Sequence, residues 1–203
     1  MAHPFETASH RLNKDLIEIK NSDLVRIDLR YCGTNNFMHV DLYGGFHQAF
    51  LHQVGYDMFQ QAQQELQRTH PHLRFVIFDA LRPRSVQKLM REFVASTPYK
   101  DYVADPVRGS LHNFGMAIDL SLEEKAGGAL DMGTEFDDFH DLAQPKLEEV
   151  FLTAGTLKPA QLKNRMILRS VMEHAGFQQL PHEWWHYNAL PIEQVRREFQ
   201  IIE

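Results

Sequence analysis

Apolar residues recur along this chain with two different periods, and these periods predict both helices and strands. In three segments they return every three or four positions, which is typical of an amphipathic helix; these segments are 46–68, 85–95 and 159–173. Gly176 follows the last of them and supplies a C-terminal stop. Two short segments rich in apolar or alternating residues predict strands; these are 24–31 and 74–78.

The stretches between these elements predict loops and turns. Residues 99–109 have the composition of a loop, and residues 126–129 mark a turn between strands. No internal repeat or linker divides the chain. We therefore expect an α+β fold in a single domain over residues 1–203, with a small, mainly antiparallel sheet flanked by helices.

Composition narrows the class of protein. Of the 203 residues, 43% are hydrophobic and 24% are charged, as in globular domains large enough to bury ~70% of their unfolded surface. The net charge of -6 argues against binding to a nucleic-acid backbone. The single cysteine, Cys32, excludes an internal disulfide and a cysteine-rich zinc cluster.

Hydropathy and the first residues bear on location. No apolar stretch is long enough to span a bilayer, so we expect no membrane partner. Residues 1–6 lack a basic segment followed by an apolar core, which predicts no secretory signal and a cytoplasmic location. The oligomeric state is left open.

Two segments, 110–119 and 183–187, carry the side chains of a catalytic metal site. Together they offer two imidazoles and one carboxylate as ligands, and a second carboxylate that can move protons. Three protein ligands leave a coordination position for a water, whose pKa a zinc ion lowers to roughly 7.

His112 and Asp119 can share one ion only if the chain bends between them. On a helix these residues would lie ~10 Å apart along the axis, and on a straight strand they would point to opposite faces. Gly115 tolerates the unusual dihedral angles of a bend, and the apolar run 116–118 predicts a short buried strand that delivers Asp119. Taken alone, the pair would more often be a turn aspartate and a hydrogen-bonded histidine.

The motif Ser-x-His-x-x-Gly-x-Ala-x-Asp at 110–119, followed by Glu-x-x-His at 183–186, resembles the zinc D-alanyl-D-alanine peptidases. Further motifs, in the same order, are similar to those of the D-alanyl-D-alanine dipeptidase family, the type found in vancomycin resistance. They lie at 29–31 with 35–37, 79–83, 132–137, 164–165 with 168–173, 176–177 and 183–187. The resemblance covers nearly the whole chain and implies the same α+β architecture.

The resemblance implies a zinc-dependent dipeptidase with one Zn²⁺ per chain and a small dipeptide as substrate. The implied metal ligands are His112, Asp119 and His186. The implied catalytic residues are Glu183 as general base and Arg82 as hydrogen-bond donor to the oxyanion. The implied substrate contacts are Asp137, which pairs with the free α-ammonium, together with Ser110 and Tyr31. The family more often has an aromatic residue where Leu81 stands.

A second metal site competes with this interpretation. His182 and His186 also fit the His-Glu-x-x-His pattern of helical zinc proteases, in which both histidines bind metal and Glu183 remains the base. However, Pro181 and Pro191 bracket the segment closely, and its aromatic residues favour a strand. We therefore favour the site that uses His112 and Asp119.

Two other functions stay open. A D-Ala-D-Ala carboxypeptidase acting on cell-wall peptides would need an open cleft, and the Asp137 motif argues against one. A non-catalytic zinc-binding module on the same fold would need neither Glu183 nor Arg82, and the chain has both.

Overall fold

A computed structural model describes residues 15–203. Residues 1–6, from which we expected no secretory signal, lie outside this range. The strands are β1 (Leu16–Ile19), β2 (Val25–Ile27), β3 (Ala49–His52), β4 (Leu73–Asp79), β5 (Ala117–Glu124), β6 (Gln178–Gln179) and β7 (His186–Asn188). The α-helices are α1 (Gln53–Thr69), α2 (Arg84–Val94), α3 (Glu148–Thr153), α4 (Pro159–His174) and α5 (Ile192–Glu198). Short 3-10 turns lie at Lys100–Tyr102, Leu111–Phe114, Asp141–Ala143 and Pro145–Leu147.

A five-stranded sheet in the order β2-β4-β5-β7-β6 forms the centre of the fold. The β2–β4 pair is parallel and the other pairs are antiparallel. A separate two-stranded antiparallel sheet joins β1 to β3. The predicted α+β class and the mainly antiparallel sheet are therefore confirmed, whereas the small second sheet was not predicted.

The central strands β4 and β5 are buried, and helices cover the sheet. Seven consecutive residues of β5, from Ala117 to Glu123, are buried. Helix α1 presents its buried residues at intervals of three or four, and its Phe59 ring lies 5.3 Å from that of Phe75 on β4. Burial of such aromatic and aliphatic side chains is the main favourable term that holds helix and sheet together.

The predicted helix 46–68 begins later than its pattern indicated. Ala49, Phe50 and Leu51 are buried and form strand β3, because a short apolar run suits a buried strand as well as a helix. His52 then ends the strand and caps α1, since its Nδ1 accepts a hydrogen bond from the backbone N–H of Val54 at 3.3 Å.

Two predicted strands also differ in length. The predicted strand 24–31 is regular only at β2, although the N–H groups of Asp28 and Arg30 still donate to carbonyl groups at the end of β4. The predicted strand 116–118 extends to Glu124, because Leu120 and Leu122 are also fully buried and continue the strand. The helices near 85–95 and 159–173 are confirmed at α2 and α4. Within residues 15–203, none of the helices has the length and apolar character needed to cross a lipid bilayer.

Candidate metal centre and active site

Strand register brings two of the predicted metal ligands together. Asp119 on β5 lies directly opposite His186 on β7 in an antiparallel pair. Side chains of directly opposed residues lie on the same face of a sheet, about 4.5–5.5 Å apart at Cβ. His186 Nδ1 lies 2.9 Å from Asp119 Oδ1.

His112 reaches the same point from a tight turn. It lies in the 3-10 turn Leu111–Phe114. Ser110 and Asn113 cap the start of this turn with reciprocal hydrogen bonds between side chain and backbone. Gly115 ends the turn at φ 66°, and an added Cβ would lie 2.8 Å from the backbone N of His52. The predicted bend is therefore present, and it requires glycine for both its dihedral angle and its close contact.

The two imidazoles turn their proton-free nitrogens toward each other. A carbonyl oxygen only accepts hydrogen bonds, so the Nδ1–H of His112 donates to Ala80 O at 2.6 Å. In the same way, the Nε2–H of His186 donates to Asn188 Oδ1 at 2.8 Å. This leaves Nε2 of His112 and Nδ1 of His186, 3.2 Å apart, with lone pairs facing inward.

These two nitrogens and the carboxylate of Asp119 form a buried set of three electron-pair donors. His112 Nε2 lies 3.2 Å from Asp119 Oδ2, and one ligand atom from each residue lies within 4.8 Å of the others. Burial opposes ionisation of Asp119, but with both imidazoles protonated their positive charge outweighs burial and lowers the pKa of Asp119 below its ordinary range. In their neutral forms the two imidazoles and the carboxylate present three converging electron-pair donors, which could hold a metal ion. Two imidazoles with one carboxylate are a donor set that suits zinc.

Glu183 lies beside this set without belonging to it. Its Oε2 is 3.8 Å from His186 Nδ1. Enclosure by protein raises the pKa of Glu183 to about 7. A carboxyl group with a pKa near neutrality can both accept and return a proton, as general acid–base catalysis requires.

Arg82 is held rigidly at the edge of the metal set. Its Nε and Nη2 lie 2.8 and 2.7 Å from Oδ2 of the buried Asp79, and its Nη1 donates to Gln87 Oε1 at 3.0 Å. Tyr43 donates to the other oxygen of Asp79 at 2.5 Å. The guanidinium carries five N–H groups, so two still point away from these partners.

Asp137 forms a second acidic centre. The hydroxyl of Tyr31 lies 3.1 and 3.0 Å from its two carboxylate oxygens and donates to them. Asp137 has φ 61°, in the left-handed region that non-glycine residues seldom occupy. Enclosure by protein and the nearby charge of Asp119 raise the pKa of Asp137 to about 8, although the side chain remains half-buried along a cavity.

One cavity of about 180 Å³ joins all eight predicted site residues. Its lining includes His112, Asp119, His186, Glu183, Arg82, Asp137, Ser110 and Tyr31. Because the cavity is small, a substrate that contacts the metal set would also contact Glu183 and Arg82.

His182 does not join the site. It is exposed, and its Nδ1 lies 2.9 Å from the ammonium group of Lys146. The residues between His182 and His186 form turns that lead into β7. The one-helix geometry that the competing protease pattern requires is therefore absent from this segment.

Several supporting residues were not predicted as site residues. Asn188 could have been found, because it lies two positions after His186 and so on the same face of β7. Asp79 lies in the motif at 79–83 but was assigned no role there, and it is fully buried. Tyr43 reaches Asp79 through tertiary packing, because the two lie 36 positions apart in the chain. Gln87 lies only five positions after Arg82, but no motif marked it.

Comparison with known proteins identifies relatives of this chain. The sequence profile of a family described as D-ala-D-ala dipeptidase matches residues 16–200. The D-alanyl-D-alanine dipeptidase of Escherichia coli (strain K12) is 36% identical over 115 residues, which are 57% of this chain and 54% of that protein. Its namesake in Enterococcus faecalis (strain V583) is 40% identical over 92 residues, covering 45% of this chain and 41% of that protein. A third, from Synechocystis sp., is 28% identical, covering 63% of this chain and 64% of that protein. The chain thus spans about half the length of the curated relatives it matches.

Proposed function

The chain belongs to the D-Ala-D-Ala dipeptidase family, and on that premise we propose that it hydrolyses D-alanyl-D-alanine-type dipeptides with the help of zinc. One observation carries the proposal. A three-ligand metal set, a carboxyl group suited to proton transfer and a second carboxylate suited to an ammonium group line the same small cavity.

His112, Asp119 and His186 would hold one zinc ion per chain through Nε2, a carboxylate oxygen and Nδ1. When bound, zinc supplies Lewis acidity, which polarises a carbonyl oxygen and makes a coordinated water more acidic. The hydrogen bonds from His112 to Ala80 and from His186 to Asn188 fix which ring nitrogen faces the ion.

Glu183 would move the proton. It takes a proton from the attacking water and gives it to the amine that leaves when the peptide bond breaks. Its position beside His186 and its pKa of about 7 suit both steps near neutral pH.

Arg82 would stabilise the negative charge that develops on the oxygen of the scissile carbonyl. Asp79 and Gln87 hold the guanidinium in place before substrate arrives. A donor fixed in advance needs no reorganisation during the reaction, and that makes it effective in a site shielded from water.

Asp137 would bind the free α-ammonium of the dipeptide. Its carboxyl group ionises reluctantly in the cavity, and a positively charged partner would offset that cost. A peptide extended beyond its amino end offers no ammonium there and collides with the surrounding wall. The substrate would therefore be a dipeptide and not the end of a longer chain.

The test is hydrolysis of D-Ala-D-Ala beside L-Ala-L-Ala and an N-acylated D-Ala-D-Ala, with and without a chelator. We expect zinc-dependent cleavage of the free D,D dipeptide and much weaker cleavage of the acylated form. Equal cleavage of the acylated form would favour a carboxypeptidase. Zinc binding without turnover of any of the three would favour a non-catalytic zinc module.

A further inference from the structure

A second arginine lines the cavity and has no part in the mechanism above. Arg196 lies in the last turn of α5, and it lines the cavity together with Ser110 and Asn188. Its side chain is 22% exposed, so the guanidinium is partly shielded from bulk water.

The guanidinium of Arg196 is only loosely engaged. Its Nε and Nη2 donate to the carbonyl oxygens of Arg108 and Gly109 over long distances of 3.3 Å. Its Nη1 lies 3.5 Å from Glu193, whose side chain is 77% exposed. An ion pair with such an exposed partner contributes little.

Arg82, by contrast, has its positive charge balanced by the buried carboxylate of Asp79, 2.7 Å away. Among the arginines that line the cavity in residues 15–203, Arg196 is the one whose charge no buried carboxylate balances. A cation placed in this way is suited to an anionic group of a ligand.

Ser110 stands next to this cation. The carbonyl groups that Arg196 contacts belong to the two residues before Ser110, so hydroxyl and guanidinium lie at the same part of the cavity. Gly109 has φ +76°, and an added Cβ would lie 2.9 Å from Ile201 Cδ1, so tight packing fixes this turn. The Oγ of Ser110 accepts a long hydrogen bond of 3.4 Å from the N–H of His112, which leaves its proton available to an anion.

The positive and negative groups enter the cavity from separate elements. Arg196 comes from α5 and contacts the turn before Ser110. Asp137 comes from the loop between β5 and α3 and is held by Tyr31. The hydrogen-bond partners of the two groups have no residue in common.

We propose that Arg196, assisted by Ser110, binds the α-carboxylate of the substrate. This inference rests on the proposed dipeptidase function and adds a binding residue for the carboxyl end of the substrate. A free dipeptide is a zwitterion, so Asp137 would take its ammonium group and Arg196 its carboxylate. The planar fork of a guanidinium matches a carboxylate with two parallel hydrogen bonds. The site would therefore require both ends of the dipeptide to be free.

The experiment compares D-Ala-D-Ala with its C-terminal amide, D-Ala-D-Ala-NH2, by the kcat/KM for cleavage of the bond between the two alanines. The wild-type protein should prefer the free acid by roughly ten- to a hundredfold, because the uncharged amide cannot form the charge-assisted hydrogen bond that the carboxylate forms with Arg196. Arg196→Met should bring the ratio close to one, mainly by lowering activity on the acid. Arg196→Lys should give an intermediate ratio, because it keeps the charge and loses the fork.

Arg197→Met is the matched control. Arg197 follows directly in the helix, its side chain is 70% exposed, and it pairs with Glu198 outside the cavity. This variant should keep the wild-type ratio. An unchanged ratio in Arg196→Met, or an equal loss on both substrates, would overturn the inference, because the arginine would then not be reading the carboxylate.

A binding measurement separates this inference from the proposed function. Glu183→Gln protein is titrated with the acid and the amide by calorimetry, with and without the additional Arg196→Met change. Tighter binding of the acid that disappears with Arg196→Met supports the inference even if the wild-type protein hydrolyses neither compound. Equal binding of acid and amide by Glu183→Gln protein would contradict it, whatever the fate of the dipeptidase proposal.

Discussion

The metal set and the Asp137 loop are two parts of one site that are built in different ways. Asp119 and His186 face each other across paired strands, so backbone hydrogen bonds of the central sheet set their separation. Asp137 lies in a loop, in a left-handed conformation at φ 61°. Its position depends on whatever holds that loop.

One buried side chain contacts the loop on both sides of Asp137. Arg165 of α4 donates from Nε to Met132 O at 2.6 Å and from Nη2 to Leu142 O at 3.0 Å. Its charge is balanced by Glu148 at 3.4 Å. Sheet register would therefore set the chemistry, whereas a helix outside the sheet would set the choice of substrate. Changes to the metal set should therefore abolish function, and changes to the loop should alter selectivity.

The largest effect is expected from removal of a metal ligand. His112→Ala or Asp119→Ala leaves only two of the three donors, so the protein should lose most of its bound zinc and its activity. Elemental analysis of the purified protein, together with D-Ala-D-Ala hydrolysis, measures both. His182→Ala is the control and should retain zinc, because His182 is exposed and outside the donor set. Loss of zinc only in His182→Ala would revive the helical-protease site.

Glu183→Gln should separate metal binding from turnover. The amide keeps the shape of the side chain but cannot accept the proton, so kcat should fall by ~10²–10⁴-fold. Zinc content should stay at the wild-type level, because Glu183 is not in the donor set. Near-normal turnover in zinc-loaded Glu183→Gln protein would remove Glu183 from its role as the base.

The two parts of the site also differed in how far sequence could predict them. The motif at 110–119 fixed the identity of His112 and Asp119, and the bend at Gly115 followed from the need to bring them together. The onset of α1 was predicted wrongly, because Phe50 and Leu51 belong to a short apolar run that suits either strand or helix. Tertiary contacts such as Arg165 with two loop carbonyls leave no periodic signal, since their partners lie far apart in the chain.

Asp137→Asn should reduce the preference for the free dipeptide over its N-acylated form, without loss of zinc. Asparagine cannot form the charge-assisted pair with an α-ammonium, which costs about 1.5–3 kcal/mol, or roughly ten- to a hundredfold in kcat/KM for the free dipeptide. The N-acylated dipeptide has no such ammonium and should lose much less. The kcat/KM ratio of the two substrates in both proteins measures the effect. A wild-type protein that cleaves both equally would show that Asp137 does not recognise the amino end.

The same substitution should change the pH dependence of stability. The pKa of Asp137 is raised to about 8 in the folded protein, so the native state binds a proton more tightly than the unfolded chain. Stability is therefore lost as pH rises from the unfolded pKa of ~3.9 through about 8. Relative to wild type, Asp137→Asn should gain about 1–2 kcal/mol between pH 6 and pH 9, a value reduced for the solvent that reaches the cavity. Urea unfolding with a chelator present, which removes pH-dependent metal binding, measures it. An equal pH response in the two proteins would contradict the raised pKa.

The smallest effect is expected from Arg165→Lys, which tests whether α4 holds the Asp137 loop in place. Lysine keeps the charge beside Glu148 but cannot reach both Met132 and Leu142, so the loop loses one or two hydrogen bonds worth about 0.5–1.5 kcal/mol each. The preference for free over N-acylated dipeptide should fall about two- to tenfold, mainly through KM, while zinc content stays unchanged.

Arg169→Lys is the matched control for this change. Arg169 also pairs with Glu148, at 2.6 Å, but its other contact is Gln179 and not the loop. If Arg165 acts by holding the loop, only Arg165→Lys should shift the selectivity ratio, and only there should the loop exchange its amide hydrogens faster. Equal changes of the selectivity ratio in both variants would mean that the ion pairs with Glu148 affect selectivity by stabilising the whole fold. In that case the loop would not depend on α4 in the way that Asp119 and His186 depend on their strands.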